Sequence, residues 1–414
     1  MTEAAAGTGA ALRVAYGSIP KEGGTFTFFR NHRQPLAEAG VDLRCVTIGS
    51  EQNALWDPRY ADPHCVRIAP SATALRAQVE AFIAWCDEER IDVVIPVSSR
   101  AMNAAIPHLP ADIRVVARCA NALHDEYLHA ASHPERVSAV VALTPRLAQD
   151  LTALHGVDPD RIHLIPNGVE SGRFAPRAAP PRPGRPLRLG FLGRLEHGQK
   201  GVMFLPAVVD ALRRHDVPFE LTIAGQGVDE QALRSALQPS LSSGQATMRG
   251  LLSREEVAPF LAGIDVLLFP SRFEGCPNVL LEGMAAGCVP VCWTLPGITD
   301  FLVDEGRTGL LHPLGDTAAM ADSLRRLASE PAALRAISEQ ARAEAVTRFS
   351  TATCASEYAA LLKTAPAAEA PEPLPLSRFR PAAHLQRRMA WIPEPLRAVL
   401  RSARRRLTRS APTR

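Results

Sequence analysis

Short apolar runs recur along the chain at intervals that leave room for one helix between neighbours. Residues 12–16, 42–48, 91–97, 113–119 and 140–144 read as strands, and 72–89 carries a helical pattern. Apolar runs alternating with helical segments predict a parallel sheet covered by helices. The alternation then starts again. Strands are predicted at 187–192, 219–224, 248–252, 264–270, 289–293 and 308–312, and helices at 318–327, 332–347 and 356–363. The expected fold class is α/β, with two doubly wound sheets. Between them lies PRAAPPRPGRP, residues 176–186, whose proline density disfavours helix and sheet and predicts a linker.

A second proline-rich stretch, 364–376, predicts a flexible connection to a tail at 377–414. That tail holds 11 arginines and one acid, Glu394, so it carries a formal +10 while the rest of the chain carries −7. Leu396, Val399, Leu400, Ala403 and Leu407 follow helical spacing behind Met389 and Trp391. A basic amphipathic helix of this kind fits the interface of an anionic membrane. Nucleic acid is not the expected partner, because nothing else in the chain supports it.

The chain has 414 residues, enough for two domains, and no apolar run reaches the roughly 18 residues of a membrane-spanning helix. Its first residues, MTEAAAGTGAALR, lack the basic start and apolar centre of a secretory signal and read as a loose leader. Eight cysteines are scattered through mostly apolar segments without a CxxC pair, which predicts buried free thiols and a reducing cytoplasm. Attachment at the cytoplasmic face of the membrane would then come from the tail. Lys21, Lys200 and Lys363 stand beside 43 arginines, so each lysine draws notice.

The chemistry concentrates in residues 271–300. The apolar run at 264–270 leads into a loop with Glu274 and Gly275, and Pro277 suits the first position of a helix. Val279, Leu280 and Glu282 continue that helix and Gly287 caps it. A strand, a glycine-containing loop and a helix N-terminus make an anion site, because free backbone N–H groups and the helix dipole face the ligand. Glu274 and Glu282 flank it, and the five residues from Pro277 to Glu282 rise by about 7–8 Å. A nucleoside diphosphate-sugar has that layout, with sugar hydroxyls at one end and ribose hydroxyls at the other. After the strand that opens at 187, Gly193, Arg194 and Lys200 put two cations near the same end, which suits a departing diphosphate. Gly23 and Gly24 form a turn after the first strand that lets backbone approach a ligand. His124, His129 and His133 lack metal-ligand spacing, and no metal or other cofactor is expected.

The run from Glu274 through Gly275, Pro277, Asn278, Val279 and Glu282 to Gly287 and Pro290 resembles the Glu-x7-Glu motif of retaining glycosyltransferases, family four-like and of group 1. The resemblance covers residues 12–363 and is strongest from 187 to 312. It implies the GT-B fold, two Rossmann-like domains facing a cleft. On this pattern residues 12–175 form the acceptor-side domain, 187–347 the donor domain, and 348–363 a helix crossing back to the first. Glu274 would contact the donor sugar, Glu282 the ribose, and the amides near Asn278 and Val279 the diphosphate. Arg194 and Lys200 resemble the family's cation pair, with Glu274 the three residues that would carry catalysis. Gly23, Gly24, Gly193, Gly225 and Gly275 would line the donor, and the base would sit near Gly250. The family's Arg-x-His-Asn pattern falls on Arg118, Cys119, Ala120 and Asn121, so Ala120 stands where a histidine is expected. Asn121 and His124 are the remaining candidates for a sugar contact.

The function so implied is transfer of a sugar, a hexose by preference, from a UDP-, GDP- or other nucleoside diphosphate-sugar to an acceptor hydroxyl with retention. A lipid-linked or cell-envelope glycan is the expected class of acceptor. A non-catalytic nucleotide-sugar binder or a GT-B sugar-nucleotide epimerase is the alternative, and Ala120 favours the binder.

Overall fold

Apolar runs that cannot expose either face become strands in the middle of a layered stack. The computed structural model describes residues 11–21, 23–97, 99–175, 185–365, 372–382 and 385. Its first sheet contains β1 (Leu12–Gly17), β2 (Val41–Ile48), β3 (Cys65–Ile68), β4 (Val93–Ile95), β5 (Arg114–Cys119), β6 (Val137–Ala142) and β7 (Ile162–Leu164). The order across it is β3-β2-β1-β4-β5-β6-β7. Its second sheet contains β8 (Leu187–Leu192), β9 (Phe219–Ala224), β10 (Ala246–Gly250), β11 (Val266–Phe269), β12 (Val289–Trp293) and β13 (Leu310–His312), ordered β10-β9-β8-β11-β12-β13. Each strand pair in both sheets is parallel. Parallel neighbours need a crossover, and helices supply most of them, so the sheets are covered and their central strands buried. The fold is α/β with two Rossmann-like sheets, as the alternation of apolar runs predicts.

The second sheet is pinned at its start by Asp265, which is fully buried at the head of β11. Its carboxylate accepts from both terminal nitrogens of Arg185 at 2.7 Å and from the backbone N–H of Arg188 at 2.9 Å. Arg185 and Pro186, the last residues of the expected linker, therefore lead directly into the central strand β8 of this sheet. Residues 176–184 of that linker, and the leader before residue 11, lie outside the described residues.

Two expectations need correction. Pro277 is not the first helical residue but the cap before it: the helix is Asn278–Ala285, and the Pro277 carbonyl accepts its first backbone bond, from Leu280 N–H at 3.1 Å. The proline-rich stretch at 364–376 is not a free linker in its described part. The helix Thr351–Thr364 runs to its edge, and Leu374 N–H donates to the Pro107 carbonyl at 2.9 Å. His108 Nδ1 donates to the Leu374 carbonyl at 2.7 Å, and Arg100 Nε to the Leu385 carbonyl at 2.6 Å. Leu385 is buried. Proline removes donors but leaves carbonyls free to accept, so an extended proline-rich strap can still dock. Beyond 385 the basic tail lies outside the described residues.

Thr351–Thr364 does cross back onto the first sheet's side. Lys363 Nζ donates to the Ala39 carbonyl at 2.7 Å, and the Tyr358 and Phe28 rings lie 5.0 Å apart. Beneath them is His32, 1% exposed, whose Nδ1 donates to the Phe28 carbonyl at 3.0 Å. Burial above all, helped by nearby Arg118 and opposed by the bond to Phe28, lowers its pKa from 6.5 to about 4. Because the folded value lies below the unfolded one, the unfolded chain takes up the proton first. The neutral ring's contribution is therefore complete above about pH 6.5 and is lost as pH falls towards about 4. Urea midpoints measured across that window should fall more steeply in the wild type than in His32→Phe. Parallel slopes would remove His32 from the acid response.

Candidate active site

The loops that carry the candidate chemistry leave their sheets where strand order reverses. In the second sheet the reversal lies between β8 and β11, so the loops after those strands diverge and open a crevice at their C-terminal ends. Arg194 and Lys200 follow β8, Glu274 follows β11, and the helix Asn278–Ala285 starts at the crevice mouth. In the first sheet the reversal lies between β1 and β4, and Gly23 and Gly24 follow β1.

Two glycines bring these loops together. Gly201 has φ 64°, and a Cβ there would stand 1.8 Å from the Pro270 carbonyl oxygen. The loop after β8 thus lies directly on the end of β11, joined further by Arg272 N–H donating to the Gln199 carbonyl at 2.7 Å. Gly275 faces the other sheet, where a Cβ would stand 2.0 Å from the Ala120 carbonyl oxygen and 2.7 Å from Asn121 Cα. Backbone meets backbone across the seam, which any side chain would prevent.

Within the seam Lys200 Nζ lies 2.6 Å from Glu274 Oε1, with side chains 17% and 6% exposed. Gln199 Nε2 donates to the other carboxylate oxygen at 3.5 Å. Arg194 is turned outward, 64% exposed, bonding Glu196 at 3.2 Å and the Gln199 side-chain carbonyl. Lys200 and Glu274 are therefore together, and Arg194 stands beside them on the rim. Gly193 and Gly225 pack backbone to backbone at the ends of β8 and β9, with a Cβ on Gly225 falling 1.9 Å from the Gly193 oxygen. Glu282 lies in the second turn of its helix. Burial raises its pKa, while Arg173, Arg30 and Arg254 pull it down. Those three arginines come from separate segments, and Arg30 is itself pushed down to about 10 by burial and by its two like-charged neighbours.

On the first sheet's side, His124 is exposed at the start of helix His124–Ala130, its ring 6.4 Å from that of His155. Asn121 is at the seam, beside Gly275. Sequence reasoning passed over Glu126, whose carboxylate accepts from Ala120 N–H at 3.4 Å. It also passed over the bond network of Arg118 and Asn167. Arg118 Nη2 donates to Asn167 Oδ1 at 2.8 Å, and Asn167 Nδ2 reaches the Cys276 carbonyl at 3.0 Å and Asn278 Oδ1 at 2.8 Å. Arg118 was visible in the Arg-x-His-Asn pattern, but no spacing rule links positions 118, 167 and 278. Among the described residues no group of three or more His, Cys, Asp or Glu could hold a metal ion, and no helix is long and apolar enough to cross a membrane. The eight cysteines are free thiols, seven of them buried.

Two family models match, one on each sheet: Glycosyltransferase Family 4 over residues 22–173 and Glycosyl transferases group 1 over residues 186–330. Among curated relatives, the chain is 29% identical over 221 residues to a glycogen synthase of Mycobacterium tuberculosis, covering 53% of each chain. It is 32% identical over 204 residues to a D-inositol 3-phosphate glycosyltransferase of Pseudarthrobacter chlorophenolicus, covering 47% of this chain and 48% of the relative. The chain thus spans about half the length of the curated relatives it matches. Among solved structures, sucrose-phosphate synthase of Thermosynechococcus elongatus superposes with a TM-score of 0.67 at 20% identity, covering 85% of this chain and 98% of that one. The Anabaena protein HepE in complex with UDP-glucose superposes with a TM-score of 0.66 at 16% identity, covering 85% and 100%. Both halves of the chain are matched by glycosyltransferase families, and its architecture is that of the GT-B glycosyltransferases.

Proposed function

We propose that the chain transfers a sugar from a nucleoside diphosphate-sugar to an acceptor hydroxyl, with retention of configuration, in the seam between its two sheets. The observation that carries this reading is the Lys200–Glu274 pair held at the mouth of helix Asn278–Ala285. A lysine, a carboxylate and free backbone N–H groups in one crevice complement a diphosphate joined to a hydroxyl-bearing ring. On donor binding, Lys200 exchanges Glu274 for phosphate oxygen and Arg194 swings in from the rim. The N–H groups at Asn278 and Val279 meet the diphosphate. Glu274 then takes sugar hydroxyls, Glu282 the ribose, and Asn121 adds a contact from the facing sheet. Gly23 and Gly24 close over the phosphates.

In the reaction the bond between the sugar's anomeric carbon and the diphosphate oxygen breaks, its electron pair leaving with the phosphate. The acceptor oxygen bonds the anomeric carbon on the same face, and its proton passes to the departing phosphate oxygen. The two cations stabilise the charge that grows there. HepE was solved with UDP-glucose, which makes UDP-sugars the first donors to try, with GDP-sugars next. A nucleotide-sugar binder without turnover has Ala120 as its support, and the match of both halves of the chain to glycosyltransferase families speaks against it. Free nucleoside diphosphate released only when acceptor is added separates the two.

Glu274→Ala, Arg194→Ala and Lys200→Ala are each expected to lower turnover at least about tenfold, roughly 1.4 kcal/mol of barrier. Glu282→Ala should act mainly on donor affinity, and His124→Ala should stay near wild type, since its ring is turned to His155. Wild-type turnover and affinity in the first four variants would sink the donor assignment.

The tail extends the reading to an anionic membrane surface near a lipid-linked or envelope acceptor. Its support is the charge split of +10 against −7 and the apolar stripe from Leu396 to Leu407. Each arginine near such a surface is worth about 1 kcal/mol. A truncation after Leu385, which keeps the docked strap, should bind donor normally and lose sedimentation with phosphatidylserine vesicles. The full chain should come off those vesicles as salt rises. Equal sedimentation of both forms would take the membrane out of the proposal.

A further inference from the structure

We propose that Arg118 and Asn167 are positioning residues that fix which way the Asn278 side-chain amide points, so that it offers an N–H donor to the diphosphate of the bound nucleotide. The inference rests on the donor site proposed above.

A guanidinium can only donate, so the Asn167 atom 2.8 Å from Arg118 Nη2 has to be the carbonyl Oδ1. The Asn167 NH2 group then faces the opposite way, where it meets the Cys276 carbonyl at 3.0 Å and Asn278 Oδ1 at 2.8 Å. A backbone carbonyl can only accept, so both ends of Asn167 demand the same orientation. Asn278 must in turn present its oxygen to Asn167, which leaves its own NH2 pointing away. That group lies across the seam from the first sheet, 3.8 Å from where a Cβ on Gly24 would stand. Gly24 and Asn278 are the first residues of their helices, so the NH2 aims between two helix N-termini. Phosphate oxygen is the ligand atom such a place takes. With Asn278 flipped, its oxygen would face the phosphate and its NH2 would oppose the NH2 of Asn167.

The relay is sheltered from water at its base. Arg118 is 4% and Asn167 7% exposed, and Arg118 is further held by Tyr358 Oη at 3.0 Å and by the Phe28 ring at 4.3 Å. Neither Arg118 nor Asn167 needs to touch the nucleotide to set the last amide.

Asn167→Asp tests this while keeping the shape. One oxygen of the new side chain still faces Arg118, and the other cannot donate, so Asn278 turns its NH2 inward and its oxygen towards the phosphate. Calorimetric titrations of the full chain with UDP, GDP and the parent nucleosides supply the readout. The variant should lose at least about tenfold in diphosphate affinity, about 1.4 kcal/mol, with nucleoside affinity unchanged. Asn278→Ala added to Asn167→Asp should cost nothing more, since the two act through one amide. If wild type binds diphosphate and Asn167→Asp binds it equally well, the orienting role is wrong and the donor site stands. If nucleoside and diphosphate affinities fall together, Asn167 is merely structural. If wild type binds neither diphosphate, the donor site itself falls and takes this inference with it. Should Asn167→Asp not fold, Asn278→Ala alone must show the same loss confined to diphosphate, and equal binding by that variant overturns the proposal.

Discussion

A guanidinium buried without a carboxylate to bind is the constraint around which the seam is built. Removing a charge from water costs several kcal/mol, and Arg118 has to recover that from its neighbours. Burial works against its charge, yet the oxygens of Tyr358 and Tyr16, with Glu126 nearby, hold its pKa above the ordinary value. Those partners are distributed over the whole architecture. Tyr16 lies on β1, Phe28 on the helix after it, Arg118 on β5, Asn167 past the last strand of the first sheet, and Tyr358 on the helix that returns from the second. The charge is satisfied only when all five segments are in place. Folding of the first sheet and docking of the C-terminal helix are therefore coupled through one polar group, which Asn167 links to Cys276 and Asn278 in the facing loop.

The electrostatics of the crevice depend on exchange rather than on vacancy. Lys200 is already paired, and its partner Glu274 is nearly buried, so on the proposed reading a phosphate has to compete with that carboxylate for the ammonium. Glu274 would then stay in the site and need new partners, which is the role the proposal gives the sugar hydroxyls, because a buried carboxylate left without partners is costly. Arg194, exposed on the rim, is the further cation that the proposed diphosphate would draw in. Glu282 sits in the opposite situation. Three arginines act on it, and Glu170 takes up two of them, Arg254 at 2.6 Å and Arg173 at 3.9 Å. Burial raises the pKa of Glu282, and the arginines oppose that rise.

How much of this was legible varies with the range of the interaction. Val289–Trp293 and Phe219–Ala224 were readable to the residue, the first because a fully buried parallel strand leaves an unbroken apolar run and the second because its apolar residues alternate with Glu220 and Thr222. The strands β3 and β7 went unnoticed. They are the edges of the first sheet, three or four residues long and only partly buried, so their sequences carry no apolar run. The glutamates, the cations and the glycine turns were legible because each belongs to a local loop whose geometry follows from a strand end and a helix start. The Lys200–Glu274 pair was not, since those residues are 74 positions apart and meet only because Gly201 lets one loop lie on the other. The strap after Thr364 was misread for a related reason: proline content reports what the segment cannot form locally and is silent on what it docks against.

The chain passes between the two sheets twice, and the two passages touch. Val169 N–H donates to the Phe349 carbonyl at 2.7 Å, and Thr351 N–H returns the bond to the Val169 carbonyl at 3.0 Å. That bridge ties the segment after β7 to the start of the helix Thr351–Thr364 by backbone bonds alone. Asn167 lies two residues before Val169 and reaches the Cys276 carbonyl and Asn278 in the facing loop. The start of helix Asn278–Ala285 is therefore held to the first sheet's side close to the place where the returning chain is held, and one short segment of backbone, 167–169, anchors both.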